Sequence, residues 1–267
     1  AAAEHGVTEP AVGLALDGYG LGADGASSWG GELLRLEGAT FARLGALAPL
    51  AQPGGDAAAR APWRMGAAAL HALGRGDEIA AWFAEEPGAA TIAAMLARGV
   101  NAPETSSAGR LFDAACGLLG VMPHAAYEGQ APMALEALAD APMSIGRDGW
   151  SIADGILDLS GLLDALRTCG PRHGANVFHG TFAAALAEWV SCAAPDARRV
   201  LASGGCFQNR VLTERLSDAL AACGVDLLAP RQAPANDGGL SLGQAWVAAL
   251  DRGDLENGED DVSRPAG

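Results

Sequence analysis

An α/β fold is predicted by three observations. Short apolar runs bounded by glycines open the chain, a long Ala- and Leu-rich stretch at helical spacing follows, and the second half alternates strand-like with helix-like segments. With 267 residues, half of them hydrophobic, the chain can bury a sizeable core in one large domain or two lobes. Its Gly (37) and Pro (14) are dispersed, which excludes a fibrous repeat, and the hydrophobic fraction excludes general disorder.

Val12 to Leu16 reads as a strand ending in Asp17 and a glycine-rich loop (Gly18, Gly20, Gly22, Gly25), and Gly31 to Leu36 resumes an extended pattern. Phe41 to Leu50 adds a third strand. Helices are expected over Pro62 to Leu73, Glu78 to Glu85 and Ala90 to Arg98, each broken by Pro or Gly. The next runs from Ser107 to Leu119, with Thr105, Ser106 or Ser107 as N-cap and Leu111, Phe112, Ala115, Leu118 and Leu119 on one face. Another follows near Met133 to Ala139. Met143 to Ile145 and Trp150 to Ile152, separated by Gly146 and Gly149, read as a hairpin with Ile156 to Leu159 beside it. Val177 to Val190 is a helix, Arg199 to Ala202 a buried strand, Gln208 to Ala222 a helix, Val225 to Leu228 a strand and Gly238 to Leu250 a closing helix. From Asp251 the chain carries six acids against two arginines with no apolar period, which predicts a solvated, disordered tail over 251–267. Met65, Met95, Trp82 and Trp189 fall at helical spacings and read as core. The chain opens without Met, in what reads as the middle of a helix (Ala1 to Gly6), so further chain is expected upstream.

The net charge is -15, and every base is arginine. A surface this negative repels phosphate backbones and acidic membranes, so neither nucleic acid nor a membrane is an expected partner. An anionic ligand would need local N–H groups, a metal ion or one well-placed Arg. Five cysteines, an odd number without C-x-x-C spacing, indicate neither a disulfide framework nor a zinc ribbon and fit a reducing cytoplasm. No apolar run approaches the roughly 20 residues that span a bilayer.

Three turns carry candidate chemistry. Arg199 to Gly205 is a strand followed by a glycine turn and a helix, which either brings N–H groups against a phosphate or sugar or only tightens the connection. Asn209 lies one turn further, and Cys206 sits at the turn itself. Asp237, in Ala235-Asn236-Asp237-Gly238-Gly239, either caps the following helix or binds a divalent cation. Asp17-Gly18-Tyr19-Gly20 places an acid at a strand end before glycines, as in loops where a carboxylate holds a metal near phosphates. It matches neither a G-x-G-x-x-G fingerprint nor a phosphate loop, which would need a lysine. At the start of the 107–119 helix, Arg110 could clamp an anion and Asp113 a ribose hydroxyl, or the two could simply pair one turn apart. Glu128-Gly129-Gln130 is a turn whose acid faces either a cleft or solvent. The five histidines form no H-x-x-x-H or H-E-x-x-H, and His179 reads as packed in its helix.

Taken in order, Leu16 to Gly20, Ser106 to Ala114, Tyr127 to Gln130, Phe178-His179, Ser203 to Asn209 and Ala235 to Leu240 resemble the C-terminal transferase domain of the [NiFe]-hydrogenase maturation carbamoyltransferases. The resemblance covers nearly all of residues 11–250. This family is similar to the tRNA threonylcarbamoyl-adenosine synthase catalytic subunit and to O-carbamoyltransferases. It implies an actin/hexokinase-like fold of two ribonuclease-H-type lobes with a helical insertion, the first lobe truncated at its start. Residues 1–50 would be the rest of that lobe, 51–140 the helical insertion and cleft helices, and 141–250 the C-terminal lobe with its closing helix. The implied reaction moves a carbamoyl group from carbamoyl-adenylate, made from carbamoyl phosphate and ATP, to the C-terminal cysteine of a partner maturation protein, for cyanide-ligand synthesis.

By the same resemblance Asp17, Gly18, Tyr19 and Gly20 lie along the phosphates or carbamoyl group, and Asp17 and Arg110 are the candidate catalytic residues. Asp113, Glu128 and Gly129 would meet the ribose, Gly204, Gly205 and Asn209 the adenosine, and Asp237 with Asp17 the metal. In the family two histidines just upstream of a strand like Val12 to Leu16 also hold the metal, so two carboxylates alone favour Mg2+, with iron or zinc implied only where those histidines are present. Cys206, where an apolar residue is more usual, reads as a tolerated small core residue. The competing readings are O-carbamoylation of a small molecule and a non-catalytic nucleotide-binding or docking module.

Overall fold

The computed structural model describes residues 1–252. Within them one sheet is built from β1 (Ala11–Leu21), β2 (Ser28–Glu37), β3 (Thr40–Leu47), β4 (Leu50–Ala51), β5 (Glu104–Thr105), β6 (Ser151–Ala153), β7 (Ile156–Asp158), β8 (Arg199–Ser203) and β9 (Asp226–Leu228). Its order is β6-β7-β3-β2-β1-β8-β9, and off this path β5 pairs with β2 and β4 with β5. β1, β2 and β3 form an antiparallel meander, while β8 joins β1 in parallel and β9 joins β8 in parallel. β7 runs parallel to β3. Strands from residues 1–50 and from 141–250, expected in separate lobes, are therefore neighbours in one sheet.

The antiparallel pairs β1–β2, β2–β3 and β6–β7 are joined by short connections, whereas the parallel neighbours need crossover helices, and the helix Arg210–Ala222 supplies the one between β8 and β9. The helices Pro62–Ala72, Ala108–Leu119 and Pro171–Ala193 cover the sheet with the bulk of the core. Ala108–Leu119 is buried along its whole length rather than on the single face its spacing suggests. Phe112 packs edge-on against Phe178 at 4.8 Å and against Phe182 at 6.1 Å, locking that helix to Pro171–Ala193. Met65 and Trp189 are fully buried as expected, but Trp82 stands 36% exposed beneath Arg167.

Several boundaries differ from expectation. The third strand stops at Leu47, and Leu50–Ala51 is a separate strand. Only Ile79–Trp82 of the expected 78–85 helix is α-helical. Met143 to Ile145 is not a strand, and 146–149 is a 3-10 turn. The hairpin is instead β6 with β7, closed by Asp154 and Gly155 at φ 50° and 79°, the left-handed pair that a two-residue turn requires. The closing helix, Leu240–Arg252, takes in the first two residues of the expected tail. The rest of that tail lies outside the described residues. No helix among the described residues is long and apolar enough to cross a membrane.

Candidate active site

The site forms where the carboxyl ends of β1 and β8 meet the N-terminus of Ala108–Leu119. The expected ligand loop at Asp17 is not a loop. β1 continues through it, with Leu16 opposite Gly31 and Gly20 opposite Trp29, so Asp17, Gly18 and Tyr19 bulge against the single residue Gly30. The hairpin turn comes later, closed by Asp24, which accepts from the N–H groups of Ala26 and Ser27. A bulge re-aims side chains, and here it projects the Asp17 region from the sheet end.

Two further segments come close to that bulge. Ser107 Oγ accepts from Arg110 N at 3.1 Å, capping the helix, and lies 2.8 Å from Asp17 O and 2.7 Å from Gly18 O, to which its one proton can be given. A Cβ on Gly109 would sit 2.6 Å from Gly18 Cα, so only glycine lets helix and bulge touch. On the other side, a Cβ on Gly205 would fall 3.2 Å from Asp17 Oδ1 and 3.8 Å from Asn236 Cβ, and Gly204 N donates to Ala235 O at 2.8 Å. The three turns at Asp17, Gly205 and Asn236-Asp237 thus meet at one place.

Arg110 and Asp113 are both buried, with Nη1 and Oδ2 3.0 Å apart. Their approach is off the hydrogen-bonding line: Arg110 Nε and Nη1 and Asp113 Oδ2 lack hydrogen-bond partners. Arg110 Nη2 lies 3.7 Å from the position a Cβ on Gly18 would take, and Glu128 Oε1 lies 3.0 Å from it. A buried, incompletely paired guanidinium is costly unless something else satisfies it, which makes this corner suited to an anionic oxygen. Glu128, Gly129 and Tyr19 are exposed, and Asp17 and Gly20 are half-buried.

Burial pushes the Asp113 carboxyl up to about 7, against the pull of Arg110 and with help from Glu128. Because the folded-state value lies above the unfolded one, the proton bound by the folded chain adds stability below about pH 4 that is lost as pH rises through 7. Unfolding free energies of the parent from urea titrations should therefore fall between about pH 4 and 7 by up to ~1.4 kcal/mol per pH unit and level off above that, and Asp113→Asn should lack that component. Identical slopes for the two proteins would exclude a raised Asp113.

Asn209 does not present a free amide to a ligand. Its Oδ1 accepts from Leu212 N at 2.9 Å, capping Arg210–Ala222, and its Nδ2 lies 3.0 Å from His179 Nε2. His179 Nδ1 must donate to Ala175 O at 2.8 Å, so Nε2 is the acceptor, and burial lowers the pKa of this ring and keeps it neutral. Asp237 does not cap the closing helix either. It is exposed within the 3-10 turn Asp237–Gly239, while Asn236 Oδ1 accepts from Gly238 N. Cys206 packs half-buried at the turn, and burial, then the Asp17 carboxylate, pushes its thiol up, away from a reactive thiolate. Among the described residues no three of His, Cys, Asp and Glu gather in a metal-holding group. Glu32 and Arg43 were missed, and Ser106 reads from sequence only as a candidate helix cap. The signal was a lone acid within the apolar run Gly31 to Leu36.

Residues 13–244 match the family model described as "Carbamoyltransferase, Kae1-like Domain, second subdomain". The chain is 49% identical to carbamoyltransferase HypF2 of Cupriavidus necator over 92% of its own length and 34% of that protein, and 46% identical to a HypF homolog of the same organism, over 92% of its own length and 67% of the homolog. It superposes on the crystal structure of full-length HypF in the phosphate- and nucleotide-bound form with TM-score 0.81 at 29% identity, covering 97% of this chain and 35% of that one. For HypF of T. kodakarensis the TM-score is 0.77 at 27% identity, over 92% and 34%. The family match and the superpositions place the chain in the class of Kae1-like carbamoyltransferase domains, of the actin/hexokinase type. Within that class the chain belongs to the HypF carbamoyltransferase family. It spans about a third of the length of several curated relatives that it matches.

Proposed function

We propose that this chain is the carbamoyl-transfer unit of a hydrogenase maturation enzyme, moving the carbamoyl group of carbamoyl-adenylate to the C-terminal cysteine thiol of a partner maturation protein. The observation that carries the reading is the incompletely paired Arg110, buried at a helix N-terminus beside Gly18 and Asp17. Guanidinium and helix end together favour the anionic phosphate of the adenylate. The Gly205 turn would let a nucleotide approach the main chain closely, and Glu128 and Gly129 would border the ribose. The nucleotide-bound state of the HypF crystal structure supports the same ligand class.

Asp17 and Asp237 stand on turns that meet at Gly205, and two carboxylates plus solvent suit a hard cation such as Mg2+ better than a soft one. When bound there, the cation would draw charge from the carbamoyl and phosphate oxygens. The chain's own residues hold the donor in line. Arg110 steadies the leaving phosphate as the acceptor sulfur bonds to the carbamoyl carbon, the C–O bond to AMP breaks, and the thiol proton passes to solvent. The nucleophile comes from the partner, consistent with the suppressed acidity of Cys206.

The test uses the complete protein with carbamoyl phosphate, ATP and a Cys-terminated peptide. Mass spectrometry should find the peptide carbamoylated by the parent, with transfer reduced about a hundredfold or more in Arg110→Ala, typical for loss of one charge-stabilising donor. An unmodified peptide together with carbamoylated small alcohols would favour the O-carbamoyltransferase reading. Absence of any product would favour a docking module.

A further inference from the structure

The bulge that presents Asp17 and Gly18 is built over a buried acid with no part in the reading above. Glu32 is 2% exposed, on β2, two residues past Gly30. Its Oε2 accepts from Gly30 N at 2.7 Å and Gly31 N at 2.8 Å, and its Oε1 accepts from Arg43 Nη2 at 3.0 Å and from Ser106 Oγ. Four donors on one buried carboxylate are far more than a strand residue needs for its own solvation.

What those donors touch gives the arrangement its meaning. Gly30, at φ 145°, is the residue facing the bulge, and a Cβ on it would lie 2.7 Å from Asp17 O and 3.1 Å from Ser107 Cα. A Cβ on Gly31 would lie 2.2 Å from Ser106 O. Ser106 directly precedes Ser107, whose hydroxyl reaches both Asp17 O and Gly18 O. Arg43 lies over the Trp29 ring at 4.3 Å, which orients the guanidinium toward Glu32. The two walls of the bulge, Gly30-Gly31 and Ser106-Ser107, are thus tied to the same carboxylate.

We propose that Glu32 is a positioning residue for carbamoyl transfer, setting through Gly30-Gly31 and Ser106-Ser107 the place of the Asp17 carboxylate and the Gly18 main chain. The proposal rests on the reading of Asp17 and Gly18 as part of the transfer site. Glu32 touches no substrate; it acts by holding the bulge at one depth, and displacements well under an ångström are enough to misalign a reacting pair.

In the complete protein, Glu32→Gln keeps shape but exchanges an accepting oxygen for an amide NH2, so one pair of donors loses its acceptor. Transfer to the Cys-terminated peptide should fall roughly tenfold to a hundredfold in kcat, with the acceptor KM unchanged and carbamoyl-adenylate formation intact. Hydrogen exchange should speed up at residues 17–20 and 30–31 and stay unchanged elsewhere. Ser106→Ala, the milder change, should move the same quantities in the same direction by less, and it decides the matter if Glu32→Gln does not fold. Unchanged kcat in a folded variant overturns the proposal, as does deprotection across the whole sheet or equal loss of both partial reactions. Asp17→Asn separates the two levels: if it is inactive while Glu32→Gln is active, only the positioning role fails, and if Asp17→Asn transfers normally, the site reading fails with it.

Discussion

Replacing Asp17 by asparagine, or Asp237 by alanine, in the complete protein is expected to abolish carbamoyl transfer while leaving carbamoyl-adenylate formation intact. Neither change attacks the fold. Asparagine keeps an Oδ1 that can accept from Gly18 N, the 2.7 Å contact Asp17 makes, so the local turn survives while the charge is lost. Asp237 is exposed, and the cap at its turn is Asn236, so alanine there removes no capping bond. What both substitutions remove is negative charge at the meeting point of the turns, where a cation would balance the phosphate. Loss of such electrostatic stabilisation costs on the order of 3–4 kcal/mol of barrier, or a hundredfold to a thousandfold in rate. Assaying the partial reactions separately checks this, with Mg2+ titrated in each variant. Equal loss of adenylate formation and transfer would count against the assignment of both residues.

The sequence made parts of this site legible and hid others, for identifiable reasons. β1, β8 and Ala108–Leu119 were visible because each is an apolar run bounded by glycine or by a capping serine, and Ser107 does cap. The burial of Arg110 and Asp113 was not visible. Their spacing along the helix reads equally as a solvated pair, and only the sheet on one side and Phe178 and Phe182 on the other close the helix in. Glycine was ambiguous in a telling way: Gly18 and Gly20 suggested a loop but permit a bulge within a continuing strand. Gly149, taken as a turn residue, does end the 146–149 turn but is also a close approach, since a Cβ there would lie 2.5 Å from Thr181 Cγ2. Asn209 looked free because its partner His179 is 30 positions away in sequence. Glu32 escaped for the same reason, its meaning residing in Gly30, Arg43 and Ser106 together.

Gly204→Ala should be the most destabilising single substitution in the site, and Gly205→Ala, one residue on, should be far gentler. Gly204 holds φ 104° and ψ 155°, a region closed to residues with a side chain. Its Cβ would lie 2.1 Å from Leu16 O and 2.5 Å from Leu16 C, main-chain atoms of a fully buried strand residue that no rotamer change can move. Relief requires β8 to separate from β1, and with it the bond from Gly204 N to Ala235 O that ties in the third turn. Backbone strain and overpacking together amount to about 3 kcal/mol or more, and a chain of this size loses roughly 2–4 °C in Tm for each kcal/mol, so a drop near ~10 °C is expected in thermal melts. Gly205 has no such backbone demand, and its Cβ would meet only Asp17 Oδ1 at 3.2 Å and Asn236 at 3.8 Å. That methyl group would intrude on the ligand side of the turn, so Gly205→Ala should melt within a few degrees of the parent, by the same scaling, yet transfer poorly. Equal Tm values for the two variants would show that the crossing at Leu16 is looser than these distances require, and that the three turns are held together by something other than the bare backbone of residue 204.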